Sequence, residues 1–452
     1  MWPNEGTVWL LFAGLMPLVY ATALVTRYGV KELSSLRFLG VLFIWIGYHF
    51  SPWQSYLTGE MWDTYLLVPS QIDDALLFTT FAMFAFLIGY ARVFQRKHAR
   101  LRGRMSGQFA LPRVKPDWVV WLGATVLVLT IITVGGIEEF WASQFTRGYG
   151  QFEERDFLGA IGQMLGVIRL PLEVMLGMMA SLLILRAKGS GPAYLLGFTA
   201  LLVASLSSMW GFSRAAGFPF LFLAFLAFRM KARRSAGVAL ACMVLAFYLG
   251  SVGSHERHNN PGIANFTKAA FGVGEKSALT SGVEESIPFI NPLDAMPAFT
   301  RKAEQRLLEP SPLFTVVGKF FWNLNPLPSE IVPLYPLGRG LADVMGTLGY
   351  VGLTTPAFAE AYYVFGLAGV GIVALLGAAL AWFERLTVIR PGVVSSIAVT
   401  LVFMSVAVGL HSSMRAMTRP MVYATFLVVL ARLAVSRRRS MHRKTDMTSM
   451  KD

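Results

Sequence analysis

Cysteine is almost missing from this 452-residue chain: Cys242 is the single one, so no intramolecular disulfide can staple a loop and no cysteine-based metal site can form. Charge is scarce as well. Only 15% of residues are charged against 55% hydrophobic, and the mean hydropathy is +0.54, values that exclude an ordinary soluble chain of this size. Strict apolar/polar alternation is also lacking, which excludes a lipid-facing strand barrel. Histidines are few and none is grouped at ligand spacing. His255 and His258 stand three apart in a stretch read as a turn, which is no basis for a metal site. No metal and no cofactor are expected.

What is present is a series of long apolar runs. A hydrocarbon core about 30 Å thick needs about 20 apolar residues per helix. Such runs occupy Val8 to Val25, Leu36 to Leu57, Ala75 to Val93, Trp118 to Val134, Leu165 to Leu185, Ala193 to Trp210, Phe212 to Phe228, Ala236 to Val252, Phe365 to Phe383, Val393 to Leu410 and Met421 to Val435. The expected fold is all-α: a polytopic transmembrane bundle of about eleven spans, forming a single membrane domain over residues 1–452.

The formal charge of +14 would suggest nucleic acid in a soluble protein, but its distribution has a topological cause. Dense Lys/Arg clusters lie at Arg92 to Lys115, Arg229 to Arg234 and Arg432 to Lys444, and the positive-inside rule assigns all three to the cytoplasm. Counting spans from these anchors puts the shorter basic loops on the same side. The N-terminus then lies outside and the C-terminus inside. Glu138 to Ile161, Gly253 to Met345 and His411 to Pro420 face outward, the second of these a large loop between spans eight and nine. Met1 to Thr7 lacks a basic leader region, so the first span is expected to be retained.

Cations nonetheless recur on the side that this rule disfavours. Arg147, Arg155, Arg214, Arg339, Arg415 and Arg419 fall there, Arg339 between two glycines that let backbone approach a ligand or simply make a turn. Arg169 sits inside a span, one turn before Glu173, either turned toward a wet interior or neutralised by that acid. The outer loop is expected to hold short and re-entrant helices: a charged stretch at Ala298 to Leu308, an amphipathic one at Phe314 to Trp322, and a return toward the membrane from Gly346 to Tyr363. Between them Pro326, Pro328, Pro333 and Pro336 forbid continuous helix. Glu360 with Tyr362 and Tyr363 reads equally as an interfacial aromatic belt or as a sugar platform. Gly366, Gly369 and Gly371 open an apolar run with no strand before them, and are read as small residues for close helix packing.

Two stretches carry a resemblance. Asn323-Leu-Asn-Pro-Leu-Pro328, followed by Glu360-Ala-Tyr-Tyr-Val-Phe-Gly366-Leu-Ala-Gly369, resembles the O-antigen polymerase family, the oligosaccharide repeat unit polymerases, with its proline-containing loop and Glu-x-Tyr-x-x-Phe-Gly-x-x-Gly signature. Gly211-Phe-Ser213-Arg214-Ala-Ala-Gly217 is similar to that family's Ser-Arg-Gly turn, with Ala215 in place of the usual glycine. The basic run often found after the prolines is lacking here. The resemblance covers roughly 320 to 385 and the surroundings of 214; elsewhere only hydropathy and loop placement agree.

It implies a glycosyltransferase of the bacterial inner membrane, joining repeat units carried on undecaprenyl pyrophosphate into a surface or exopolysaccharide at the periplasmic face. Donor and acceptor would both be undecaprenyl-pyrophosphate-linked oligosaccharides in the membrane lipid, with a chain-length regulator and a repeat-unit flippase as expected partners and no nucleic acid. Physical chemistry fits this. A departing pyrophosphate needs cations at the headgroup plane, and the planar guanidinium pairs with phosphate bidentately. The seven arginines named above are therefore the candidate substrate-binding groups, with Tyr362 and Tyr363 for the sugar. The attacking hydroxyl needs a base as the new bond forms. Glu360 is the first candidate on motif grounds and His255 the second, ahead of Glu256, His258, Asp343 and His411. A pyrophosphate is already an activated leaving group, so the enzyme is expected to be metal-independent. Two alternatives stand beside this reading: an O-antigen ligase-type transferase using the same carrier, and a transporter or flippase of polysaccharide intermediates, although the span pattern has no internal repeat of the kind transporters show.

Overall fold

The structure, a computed structural model, describes residues 5–29, 32–33, 35–58, 69–95, 114–134, 157–187, 191–208, 217–230, 232–259, 318, 321, 357–389, 393–409 and 414–449. Among these residues the only regular elements are helices. They are α1 (Glu5–Tyr28), α2 (Leu36–Tyr48), α3 (Phe50–Thr58), α4 (Pro69–Gln95), α5 (Pro116–Val134), α6 (Phe157–Arg186), α7 (Pro192–Ser208), α8 (Phe218–Met230), α9 (Arg233–Asn259), α10 (Ala357–Phe365), α11 (Val370–Ile389), α12 (Val393–Met404) and α13 (Met414–Ser449).

Among the described residues each apolar run falls on helix. Four stretches, Gly6–Tyr28, Asp73–Val93, Pro116–Thr133 and Ala357–Leu386, are long and apolar enough to cross a membrane. Leu36–Tyr48, Pro192–Ser207, Phe218–Phe228 and Val394–Ala407 are shorter apolar helices. Large apolar side chains stand exposed in helical stripes: Trp9, Phe12, Met16, Val19 and Tyr20 on α1, and Trp118, Trp121, Val128 and Ile132 on α5. In water such continuous stripes would be an aggregation liability, whereas hydrocarbon is their natural solvent.

Glycine sets how closely the helices approach. The most extensive contact is between α4 and α11, where a Cβ on Gly89 would come 1.9 Å from the carbonyl oxygen of Ala374 and one on Gly377 would come 2.2 Å from that of Phe86. Both clashes are with backbone, so only the absence of a side chain allows this approach. α1 and α2 pack on α4; α5, α7 and α8 pack on α6; α12 packs on α13. Phe403 of α12 ties these groups together, stacking on Phe225 of α8 at 4.7 Å and meeting Phe43 of α2 edge-on at 6.0 Å.

Several expectations change in detail. The run Leu36 to Leu57 is two helices, broken at His49. The His49 ring is fully buried, lies 3.0 Å from the Thr79 hydroxyl and fills the space that a side chain at Gly14 would need. The Thr79 hydroxyl also lies within hydrogen-bond distance of the Ala75 carbonyl at 2.9 Å, so it joins the ring to its own helix. The segment holding His255 and His258 is the end of α9 rather than a turn. The ninth apolar run begins as helix at Ala357, eight residues before the expected Phe365. Of the large outer loop, 260–317, 319–320 and 322–345 lie outside the described residues, as does the re-entry segment before Ala357.

Candidate functional site

The Glu-x-Tyr-x-x-Phe-Gly-x-x-Gly stretch forms one compact device. α10 buries Ala357, Phe358, Ala359, Glu360, Ala361 and Val364, its alanines allowing the short helix to sink among its neighbours. Phe358 stacks on Tyr48 of α2 at 5.0 Å, and Tyr362 meets Phe78 of α4 edge-on at 5.2 Å. Gly366 then takes φ +56, a left-handed conformation that suits glycine. A turn of 3-10 helix, Gly366–Gly369, leads into α11. Gly369 lies so near Ala361 that a Cβ would sit 2.8 Å from its carbonyl oxygen. Two glycines of the signature thus serve backbone geometry. Of the three read as packing residues, Gly369 alone makes a close approach, since a Cβ on Gly366 or Gly371 would meet nothing within 4 Å.

Glu360 is 1% exposed. Its Oε1 accepts from the backbone N–H of Met414 at 3.4 Å, the first residue of α13. First-turn N–H groups lack partners inside their own helix, and the helix dipole places partial positive charge there, so a carboxylate is favoured at that point. α13 carries Arg415 and Arg419 on consecutive turns. The Arg419 side chain is half-buried; that of Arg415 lies outside the described set. The structure thereby joins Glu360 to the helix bearing two of the predicted cations, sequence neighbours only at a distance of 54 residues.

The other predicted groups are placed as follows. Tyr362 and Tyr363 are half-buried on α10. Arg169 on α6 makes an ion pair with Glu173 at 2.9 Å and donates from Nη1 to Thr133 Oγ1 of α5 at 3.0 Å. That cation is neutralised within the bundle and ties α5 to α6. His255 has a described backbone on α9 but no described side chain, and Arg147, Arg155, Arg214 and Arg339 lie outside the described residues. Among the described residues no three of His, Cys, Asp and Glu converge as metal ligands.

Sequence reasoning missed a second buried carboxylate. Glu384, 2% exposed on α11, accepts from the Leu36 N–H at 3.0 Å and from the Tyr90 hydroxyl. Beside it Arg37 pairs with Glu32 at 2.6 Å and lies over the Tyr90 ring at 5.7 Å. Ser35 caps α2 by accepting from Phe38 N and donates to Glu32. The available signal was an acid directly after the apolar run ending at Phe383.

Comparison with protein-family models, curated proteins and solved structures finds no match to this chain.

Proposed function

We propose that the chain is a membrane glycosyltransferase that polymerises polyprenyl-pyrophosphate-linked oligosaccharide repeat units at the outer face of the bacterial inner membrane. In this reading about eleven spans cross the bilayer, with the N-terminus outside, the C-terminus inside and the Glu360 end of α10 outward. The observation that carries it is the shielded Glu360 carboxylate held at the start of a helix bearing Arg415 and Arg419. A base on one helix and cations on the helix it touches are what the reaction needs. The acceptor hydroxyl attacks the anomeric carbon and gives its proton to Glu360, while the bond to the pyrophosphate oxygen breaks and the anionic leaving group is taken up by arginines. Burial at this point favours transfer over hydrolysis, since water competes poorly for the donor.

Reconstitution tests the proposal. Purified protein in liposomes with a polyprenyl-pyrophosphate-linked saccharide is expected to yield polymer and release polyprenyl pyrophosphate. Arg214→Ala and Arg339→Ala are expected to abolish both, with Arg→Lys restoring little because the ammonium lacks the bidentate fork. Full activity of both alanine variants removes these two arginines from the assignment. Topology is checked separately by cysteine labelling of spheroplasts in a Cys242→Ser background: reaction at position 285 and protection at 103 is the expected pattern, and the reverse overturns the orientation.

A further inference from the structure

α4 opens with two adjacent acids that the fold treats differently. Asp73 accepts from the Thr7 hydroxyl at 2.5 Å, so it pins the start of α1 to α4. Asp74 is turned about 100° from it around the helix and is exposed. It also lies one helical turn before Phe78, on the same face, and Phe78 is the ring against which Tyr362 packs edge-on at 5.2 Å. Tyr362 and Asp74 are therefore neighbours across the α4–α10 contact, close enough for the Asp74 charge to act on the phenol. Both stand at the start of candidate spans, Asp73–Val93 and Ala357–Leu386, which is where a lipid-carried sugar would meet the protein.

We infer that Asp74 and Tyr362 together form a saccharide subsite that holds the acceptor chain on the α4 side of α10, across that short helix from Glu360. The inference rests on the glycosyl-transfer reading given above and adds to it a specificity-determining residue. An ionised aspartate is acceptor-only and offers two oxygens, a fit for a pair of neighbouring sugar hydroxyls. A half-buried tyrosine ring offers a flat apolar surface for the C–H face of a pyranose with a polar tip at its edge. A solvated charge on an exposed helix face is the competing account. The two accounts differ in what a neutral isostere does.

The test uses a strain carrying only the variant chain, reading the length distribution of its surface polysaccharide and the pool of single repeat units on the lipid carrier, both normalised to membrane protein level. Asp74→Asn is expected to cut polymer about tenfold or more, the size of a lost charged hydrogen bond, with single-repeat intermediates accumulating. Tyr362→Phe is expected to keep the polymer and Tyr362→Ala to lose it. Asp73→Asn, which alters the Thr7 tie, is expected to leave length unchanged per molecule. Wild-type length in Asp74→Asn overturns the subsite. Should that variant insert poorly, Asp74→Ser is read by the same criteria. A deletion strain separates the two levels of the argument: if deletion abolishes polymer while the Asp74 variants behave as wild type, only the subsite falls. If deletion leaves the polysaccharide intact, the glycosyl-transfer reading falls and the subsite with it.

Discussion

The candidate span Ala357–Leu386 carries a buried carboxylate near each end, and the two do the same thing by different means. Glu360 receives the first N–H of α13 and Glu384 the first N–H of α2. At the Glu384 end the N–H contact is 3.0 Å, Tyr90 adds a second donor, and the Glu32–Arg37 pair and Ser35 complete a network. At the Glu360 end the N–H contact is 3.4 Å, the neighbouring helix brings arginines, and rings of Tyr48 and Phe358 stack alongside. A short, multiply donated carboxylate is built to stay put. In the glycosyl-transfer reading proposed above, Glu360 must instead release its helix contact to take a substrate proton.

The largest expected difference comes from replacing each acid in turn. Glu360→Gln keeps size and can still accept from Met414, so the fold should hold while the rate of chain extension falls on the order of 10²- to 10⁴-fold, the range for a lost general base. The measurement is polysaccharide length in a strain carrying only the variant, with membrane levels checked in parallel. Wild-type length at normal level would make Glu360 a helix anchor like Glu384 and move His255 forward as the base.

Glu384→Ala should do the opposite. It strands the Leu36 N–H and the Tyr90 hydroxyl without an acceptor in a buried place, at about 1–3 kcal/mol for each unsatisfied group. The purified protein should melt at a lower temperature and accumulate less in the membrane. Activity per folded molecule should change little. A loss of activity without loss of stability contradicts the division of labour between the two ends.

How legible this was from sequence depends on the kind of interaction. Apolar runs report helices directly, because an apolar environment acts residue by residue, and among the described residues each run falls on helix, with one break at His49. The Arg169–Glu173 pair was equally visible, being local at one helical turn. The sequence reading put Glu360 at the end of a returning segment and began the span at Phe365, so α10 as a buried helix was not foreseen; the glycines that follow can be understood afterwards from a positive φ at Gly366 and the close pass of Gly369. The contact from Glu384 to Leu36 spans 348 positions and that to Tyr90 spans 294, and no periodicity reports a partner so far away. The break at His49 was hidden for a related reason: its partners are Thr79 and the empty face of Gly14, on other helices.

A smaller effect is expected from Gly89→Ala, which bears on how Tyr90 reaches Glu384. The added methyl would strike the Ala374 backbone, so α11 must move away from α4 at a cost of about 1–3 kcal/mol, as overpacking usually does. The shift acts on the Glu384 end first, because Gly89 immediately precedes Tyr90 in sequence. Thermal melting of the purified variant checks this, and an unchanged midpoint would mean that the two helices are less tightly joined than the structure has them.

The smallest and most discriminating change is Tyr90→Phe. It removes one hydroxyl from the Glu384 carboxylate while preserving the ring over which Arg37 lies, so the cation–π contact and the packing survive. Glu384 keeps the Leu36 N–H, and the loss is that of one buried hydrogen bond, for which about 1–2 kcal/mol is the reasonable scale. Combined with Glu384→Gln, the two changes should sum to less than their separate costs, since both act on one hydrogen bond. Combined with Glu360→Gln, they should simply add, because the two carboxylates lie at opposite ends of one span with no shared partner among those described. A double-mutant cycle on melting temperature measures both couplings. Strong coupling between Tyr90 and Glu360 would show that the two ends of the span act as one unit, and the contrast between a fixed acid and a working one would have to be abandoned.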